Sequence, residues 1–157
     1  DENAPTLVLY GDVPLTEESS LQKLLDIAGN DKLAILTIEM DNPTGYGRIV
    51  RENGAIVRIV EQKYASEAER SIREINTGIM VAPTAKLKSW LASLSNNNAQ
   101  GEYYLTDLVA VAKTQGHAIT IIKIDPRDAL GINTPAELGI ASRLKQERDN
   151  FRTDSGI

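Results

Sequence analysis

Asp12 closes the stretch TLVLYGD at residues 6–12, where a short aliphatic and β-branched run ends in Tyr10, Gly11 and then a carboxylate. Such a run, followed at once by Gly and Pro, has the punctuation of a buried strand leaving its sheet, which sets Asp12 at the strand's carboxyl end. A carboxylate there, beside a glycine that lets backbone approach a ligand, suits Mg2+. That cation keeps several waters and takes only one or two protein oxygens when phosphates supply the rest. An Asx-type turn before Pro14 is the other reading of the same residue. The chain has no Cys and a single His, His117. This excludes disulfides, thiol nucleophiles, cysteine-bound zinc and a histidine cluster. Its chemistry must rest on oxygen ligands, amides, Lys and Arg.

The elements that position Asp12 alternate along the chain. After the first strand, Thr16 is expected to cap a helix over 17–28, with Leu21, Leu24, Leu25 and Ala28 on one stripe and Gly29 at its end. Residues 33–40 read as a strand and DNPTGYG, 41–47, as a loop. RIVRENGAIVRIVEQ, 48–62, is two alternating runs around Asn53-Gly54, the strongest short-range hairpin signal. A short helix in SEAERSIRE, a strand in INTGIMVAP and a helix over 84–94 follow, with Trp90, Leu87, Leu91 and Leu94 at helical spacing as packing residues. NNNAQGEYY is a loop, a helix runs from about Thr106 to Gly116, and AITIIKI, 118–124, is an apolar strand. NTPAE then opens a helix with Thr134 as cap, Pro135 at the first helical position and Glu137 completing a capping box. Strands alternating with helices predict an α/β fold: a mostly parallel, mixed sheet flanked by helices, with an inserted hairpin. Ligands bind such sheets outside the carboxyl ends of the strands.

At 157 residues and 41% hydrophobic the chain can bury one sizeable core. Its 17 Lys and Arg against 22 Asp and Glu give a net charge of -5 without long runs, which disfavours nucleic-acid binding. No apolar stretch approaches the ~20 residues of a membrane helix and no signal peptide opens the chain. The expected setting is cytoplasmic, with no membrane partner.

LYGDVPL, DNPTGYGRIVRENG, IVEQK, EINTGIMVA, WLASLSNNNAQGEYYLTDLVA and GIN occur in this order between Thr6 and Lys145. Together they resemble the central to C-terminal part of the uridylyltransferase domain of bacterial N-acetylglucosamine-1-phosphate uridylyltransferase, a bifunctional enzyme that also acetylates glucosamine-1-phosphate. The resemblance implies a Rossmann-like nucleotide-diphospho-sugar transferase fold. It also implies Mg2+-dependent transfer of UMP from UTP to N-acetylglucosamine-1-phosphate, giving UDP-N-acetylglucosamine and pyrophosphate for cell-wall precursors, peptidoglycan and lipopolysaccharide. Residues 1–147 would then be a partial nucleotidyltransferase domain and 148–157 a tail or linker.

Carried onto this chain, the resemblance makes Tyr10, Gly11 and Asp12 part of the nucleotide-sugar pocket, with Asp12 a magnesium ligand. Gly47 brings its backbone amide to the sugar, where a Cβ would obstruct; a turn or bulge before the hairpin is its plainer reading. Glu61 accepts from sugar hydroxyls and Asn76 offers its amide to the same sugar. Asn133, next to the Thr134 cap, is a second magnesium ligand through its side-chain carbonyl, or else only assists the cap; the helix start behind it favours phosphate oxygens. Lys63 is a candidate for a substrate phosphate but also an ordinary exposed lysine. Tyr104 and Thr106 border the pocket, with a core position for Tyr103 or Tyr104 as the equal alternative, and His117 is a surface residue.

The family opens with a strand and a Gly-rich loop that holds the triphosphate, and with residues that read uracil; neither is in this sequence, nor are the hexapeptide repeats of the acetyltransferase. The expectation is a piece incomplete at its N-terminus, with little or no turnover and an exposed apolar sheet edge that promotes self-association. Another sugar-1-phosphate nucleotidyltransferase and a non-catalytic nucleotide-sugar binding or interaction module are the alternative readings.

Overall fold

The computed structural model describes residues 2–98, 100–132 and 134–155. Its centre is a six-stranded mixed sheet: β1 (Pro5–Val8), β2 (Leu33–Glu39), β3 (Arg48–Glu52), β4 (Ala55–Val60), β5 (Glu74–Pro83) and β6 (Ile119–Lys123). Around it lie α1 (Glu18–Ala28), α2 (Glu67–Arg70), α3 (Thr84–Ser93), α4 (Leu108–Thr114) and α5 (Pro135–Ser155). The α/β, helix-flanked, mixed architecture is the one expected. Its parallel part is smaller than the alternation of elements implied: β2 with β6 is parallel, whereas β1 and β2 with β5, β3 with β4, and β3 with β5 are antiparallel. The reason is β5. β1, α1 and β2 form a split βαβ unit, and β5 runs the other way between its two strands, with Val81 in register with both Leu7 and Ala34.

Both faces of the central strands are covered. β2 is buried from Leu33 to Ile38. Leu33 and Ile35 of β2 and Met80 and Ala82 of β5 pack against α3 and α4, through Trp90, Leu108, Val109 and Ala112, and against Ile49, Ile56 and Ile59 of the hairpin. Ala34, Leu36, Ile79 and Val81 face Leu24 and Ala28 of α1. A fully buried aliphatic side chain contributes about 1.5–3 kcal/mol, so this two-sided packing is what fixes the strand ends.

Local chemistry explains most of the element ends. Asn53 (φ 50°) and Gly54 (φ 82°) both take positive φ, the requirement of a tight turn that matches hairpin twist. Ser66 and Glu69 form a capping box at α2. At α5 the Thr134 hydroxyl accepts from the Glu137 N–H at 3.2 Å and donates to its carboxylate at 3.0 Å. The cap expected at Thr16 is not made. Glu17 precedes α1 without a side-chain bond, and the Thr16 hydroxyl is turned toward the carbonyls of Val13 (3.2 Å) and Asp128 (3.1 Å). It ties the loop after Asp12 to the segment before α5 instead.

Residues 148–155 continue α5. Arg148 docks that helix on the body, donating to the Leu15 carbonyl at 2.9 Å and to the Asp128 carboxylate at 2.6 Å. Among the described residues no helix is long and apolar enough to cross a membrane. Trp90 is fully buried and donates to Gln115 at 2.9 Å. His117 is half-buried with its ring edge on Trp90, centroids 5.2 Å apart.

Candidate functional site

A cleft of about 270 Å3 opens beyond the end of β1 and is lined by Tyr10, Asp12, Gly47, Glu61, Asn76 and Thr106, with Thr77 and Gly78 on its floor. Six residues spread over almost a hundred positions thus meet in one depression. Gly11 is exposed, and a Cβ built on it meets open space; it stands beside the cleft and does not line it. Asn133 lies outside the described residues.

The floor is a bulge in β5. Between the pairs Ile35 with Met80 and Thr37 with Asn76, residues Thr77, Gly78 and Ile79 stand opposite Leu36 alone. Such insertions disrupt the ladder locally and re-aim side chains. The Thr77 hydroxyl closes this one, donating to the Leu36 carbonyl at 2.7 Å and accepting from the Ile79 N–H at 3.2 Å. Gly78 takes φ +85°, and the Tyr10 ring lies flush on it: an added Cβ would be 2.1 Å from Cε2. A glycine inside a strand-like run is the one sequence signal that could have found this feature.

The wall is made by Gly47 and Glu61. The Thr106 hydroxyl donates to Oε1 of Glu61 at 2.9 Å. An added Cβ at Gly47 would come within 2.9 Å of Ile59 Cγ2 and 3.4 Å of that same carboxylate oxygen, so the backbone of Gly47 can approach a ligand only because no side chain is there. The Gly47 carbonyl accepts from the Asn76 N–H at 2.9 Å, which joins wall to floor.

Asn76 carries the clearest chemical signal. It is 9% exposed, and its Oδ1 is buried with no partner among the described residues. A buried amide oxygen left without a donor costs about 1–3 kcal/mol. Asn76 and Glu61 both line the cleft, and a ligand group that reached either acceptor would have to bring a hydrogen-bond donor, such as a hydroxyl or an amide N–H. No Lys or Arg lines the cleft among the described residues, and a bound cation would supply positive charge to an anionic ligand there.

Asp12 suits that cation. Its carboxylate is exposed at the cleft mouth, and its backbone carbonyl accepts from the Ile132 N–H at 2.8 Å. That bond fixes Ile132 beside Asp12. One free carboxylate with room for water and phosphate oxygens is the donor set magnesium uses. Among the described residues no group of three or more His, Asp or Glu side chains gathers into an all-protein metal cage.

Lys63 is engaged elsewhere. Its Nζ donates to the Tyr104 hydroxyl at 2.5 Å and lies over the rings of Tyr64 and Tyr104, 5.2 and 4.9 Å from their centroids. The Tyr104 bond, outweighing desolvation, raises its pKa from the ordinary lysine value. Neither Tyr103 nor Tyr104 is a core residue: Tyr103 is exposed and Tyr104 half-buried.

No protein-family model matches the chain. It is 62% identical over 149 residues to "Bifunctional protein GlmU" of Herminiimonas arsenicoxydans, and 64% identical over 147 residues to the protein of that name from Janthinobacterium sp. (strain Marseille). Each match covers 93% of this chain and 32% of the relative. The chain therefore spans about a third of the length of the curated relatives it matches. Among solved structures, one from Bacillus anthracis described as a glucose-1-phosphate thymidylyltransferase superposes with a TM-score of 0.66 at 20% identity, covering 90% of this chain and 55% of that one. The nucleoside-diphosphate-sugar pyrophosphorylase from Vibrio cholerae RC9 gives 0.55 at 15% identity, covering 75% and 49%. At these identities the likeness concerns the fold, which is that of the Rossmann-like sugar nucleotidyltransferases.

Proposed function

From the premise that this chain matches, over nearly its whole length, about a third of the length of proteins named Bifunctional protein GlmU, we propose that its cleft is the sugar and metal side of a UDP-N-acetylglucosamine-forming nucleotidyltransferase site. The observation that carries the reading is that the Asn76 amide, whose Oδ1 is buried with no partner among the described residues, and the Glu61 carboxylate line one cleft. Both are acceptors, as recognition of sugar hydroxyls and of an N-acetyl N–H requires. Tyr10 and Gly11 border the nucleotide sugar, and the backbone of Gly47 meets the hexose.

In the reaction an oxygen of the sugar-1-phosphate forms a bond to the α-phosphorus of UTP while the bond to pyrophosphate breaks. No covalent protein intermediate is needed, in keeping with a chain that has no Cys. The protein's part is to orient the sugar and hold its phosphate in line, and pre-paid orientation of that kind can lower a barrier by about 7–11 kcal/mol. Asp12 and Asn133 are the residues proposed to hold Mg2+, which when bound neutralises charge on the phosphates. UTP as co-substrate sets the reaction in the cytoplasm.

Calorimetric titration of UDP-N-acetylglucosamine, with and without Mg2+, tests this on the chain and on Asp12→Ala and Asn76→Ala. The expected result is binding that Mg2+ strengthens in the parent, loses its Mg2+ dependence in Asp12→Ala, and weakens about tenfold or more in Asn76→Ala through the lost hydrogen bond. Binding equal in the parent and in Asn76→Ala would overturn the assignment of the sugar subsite.

A further inference from the structure

Arg48 begins β3 and is 1% exposed. It stands in register with Val60 of β4 and with Ile75 of β5. Each residue of that rung is next in sequence to one of Gly47, Glu61 and Asn76. The guanidinium donates through Nη1 to the Tyr46 carbonyl and through Nη2 to Oε1 of Gln62. One side chain therefore bridges the residue before Gly47 to the residue after Glu61.

Both acceptors are neutral, and Nε is buried without a partner among the described residues. Burial, and after it the like charge of Arg70, lower the pKa of this guanidinium from its ordinary value. A cation buried among neutral partners is costly, and an apolar side chain of similar volume often packs better in such a place. Stability alone does not account for an arginine here. A planar fork that addresses two acceptors at once does.

We propose that Arg48 is a positioning residue of the cleft: by joining the Tyr46 carbonyl to the Gln62 side chain it fixes the separation between the Gly47 backbone and the Glu61 carboxylate, and with it the width of the sugar subsite. The functional half of this rests on the reading of the cleft given above. The positional half stands on the rung itself. A lysine keeps the charge but, as a single ammonium on a flexible stem, does not span both acceptors.

The test pairs amide hydrogen exchange of the free protein with titration of UDP-N-acetylglucosamine, with and without Mg2+, on the parent, Arg48→Lys and Gln62→Ala. Gln62→Ala removes one acceptor at a half-buried position and keeps a folded variant in hand if Arg48→Lys does not fold. The reporting amides are those of Tyr46, Tyr64, Ala65 and Asn76, which bond to the carbonyls of Pro43, Glu61, Glu61 and Gly47. The expected result is exchange at these amides about tenfold faster, with the amides of β2 unchanged, because only the cleft opens locally. Affinity for UDP-N-acetylglucosamine is expected to fall about ten- to a hundredfold, since an ångström of misplacement has effects of that order, while the Mg2+ dependence of that binding is unchanged. Unchanged exchange at the four amides, or an equal acceleration throughout β2, would overturn the proposal, as would undiminished sugar-dependent affinity in a variant whose amides do open. Absence of binding by the parent would overturn the reading of the cleft instead, and exchange would still decide on Arg48.

Discussion

Replacing Gly78 by alanine sets two costs against each other at the floor of the cleft, and the structure allows both to be estimated. The backbone there has φ +85°, a region that costs an L-residue about 1–2 kcal/mol. The new Cβ would also lie 2.1 Å from Cε2 and 2.6 Å from Cδ2 of Tyr10, so the ring must swing away. Tyr10 is 47% exposed, so its departure forfeits only part of an aromatic's burial, about 0.5–1 kcal/mol. The sum is about 2 kcal/mol, a fall in Tm of about 4–8 °C for a chain of this size. Urea and thermal unfolding can be followed by the fluorescence of Trp90, which is fully buried and the sole tryptophan. A double-mutant cycle separates the two costs. With Tyr10→Ala already in place, Gly78→Ala should cost only the backbone strain, leaving a coupling of about 0.5–1 kcal/mol. A Gly78→Ala protein as stable as its parent would refute the strain argument, and a coupling of zero would refute the ring contact.

Thr106→Val removes the hydroxyl that holds Oε1 of Glu61; it is expected to cost about 1 kcal/mol of stability and to weaken sugar binding by calorimetry, and undiminished affinity would show that Glu61 needs no such support. At Glu74 burial works against ionisation, but hydrogen bonds from Arg51 and Thr37, with the charges of Arg51 and Lys123, outweigh it and lower the pKa, and Arg127 lowers Asp125 to about 2. Depressed carboxyl groups contribute stability that is complete above the unfolded values and lost as pH falls through the folded ones. The urea midpoint should accordingly drop between about pH 4.5 and 2, with a shallower drop in Glu74→Gln; identical slopes in the two proteins would contradict the assignment.

Features governed by neighbouring residues were legible in the sequence. Asn53-Gly54 declared its hairpin, and the Thr134, Pro135 and Glu137 cap stands as written. The motif resemblance named Tyr10, Asp12, Gly47, Glu61, Asn76 and Thr106, and the fold gathers all six around one cleft. What the sequence hid depends on distant partners. Nothing local in INTGIMVAP says that it will run antiparallel between β1 and β2, or that Gly78 will serve as the bed for an aromatic ring. Thr16 is a good cap by type, yet the Asp128 carbonyl, brought near by the fold, competes for its hydroxyl. Arg48 reads as the polar half of an alternating hairpin strand, and only the convergence of three strands on its rung buries it.

The central place of β5 also sets an order of events during synthesis. Of the strands made before it, β3 and β4 can close as a local hairpin, but β1 finds its partner only in residues 80–83, and β2 pairs with β5 and with the still later β6. Contacts of such sequence separation form slowly, and unpaired apolar strands are prone to aggregate while they wait. A nascent chain interrupted before residue 83 thus already contains Tyr10, Asp12, Gly47 and Glu61 without the surface that assembles them. The cleft can be complete only after β5 has been made and paired, and until then β1 and β2 hold apolar surface that a chaperone would have to shield.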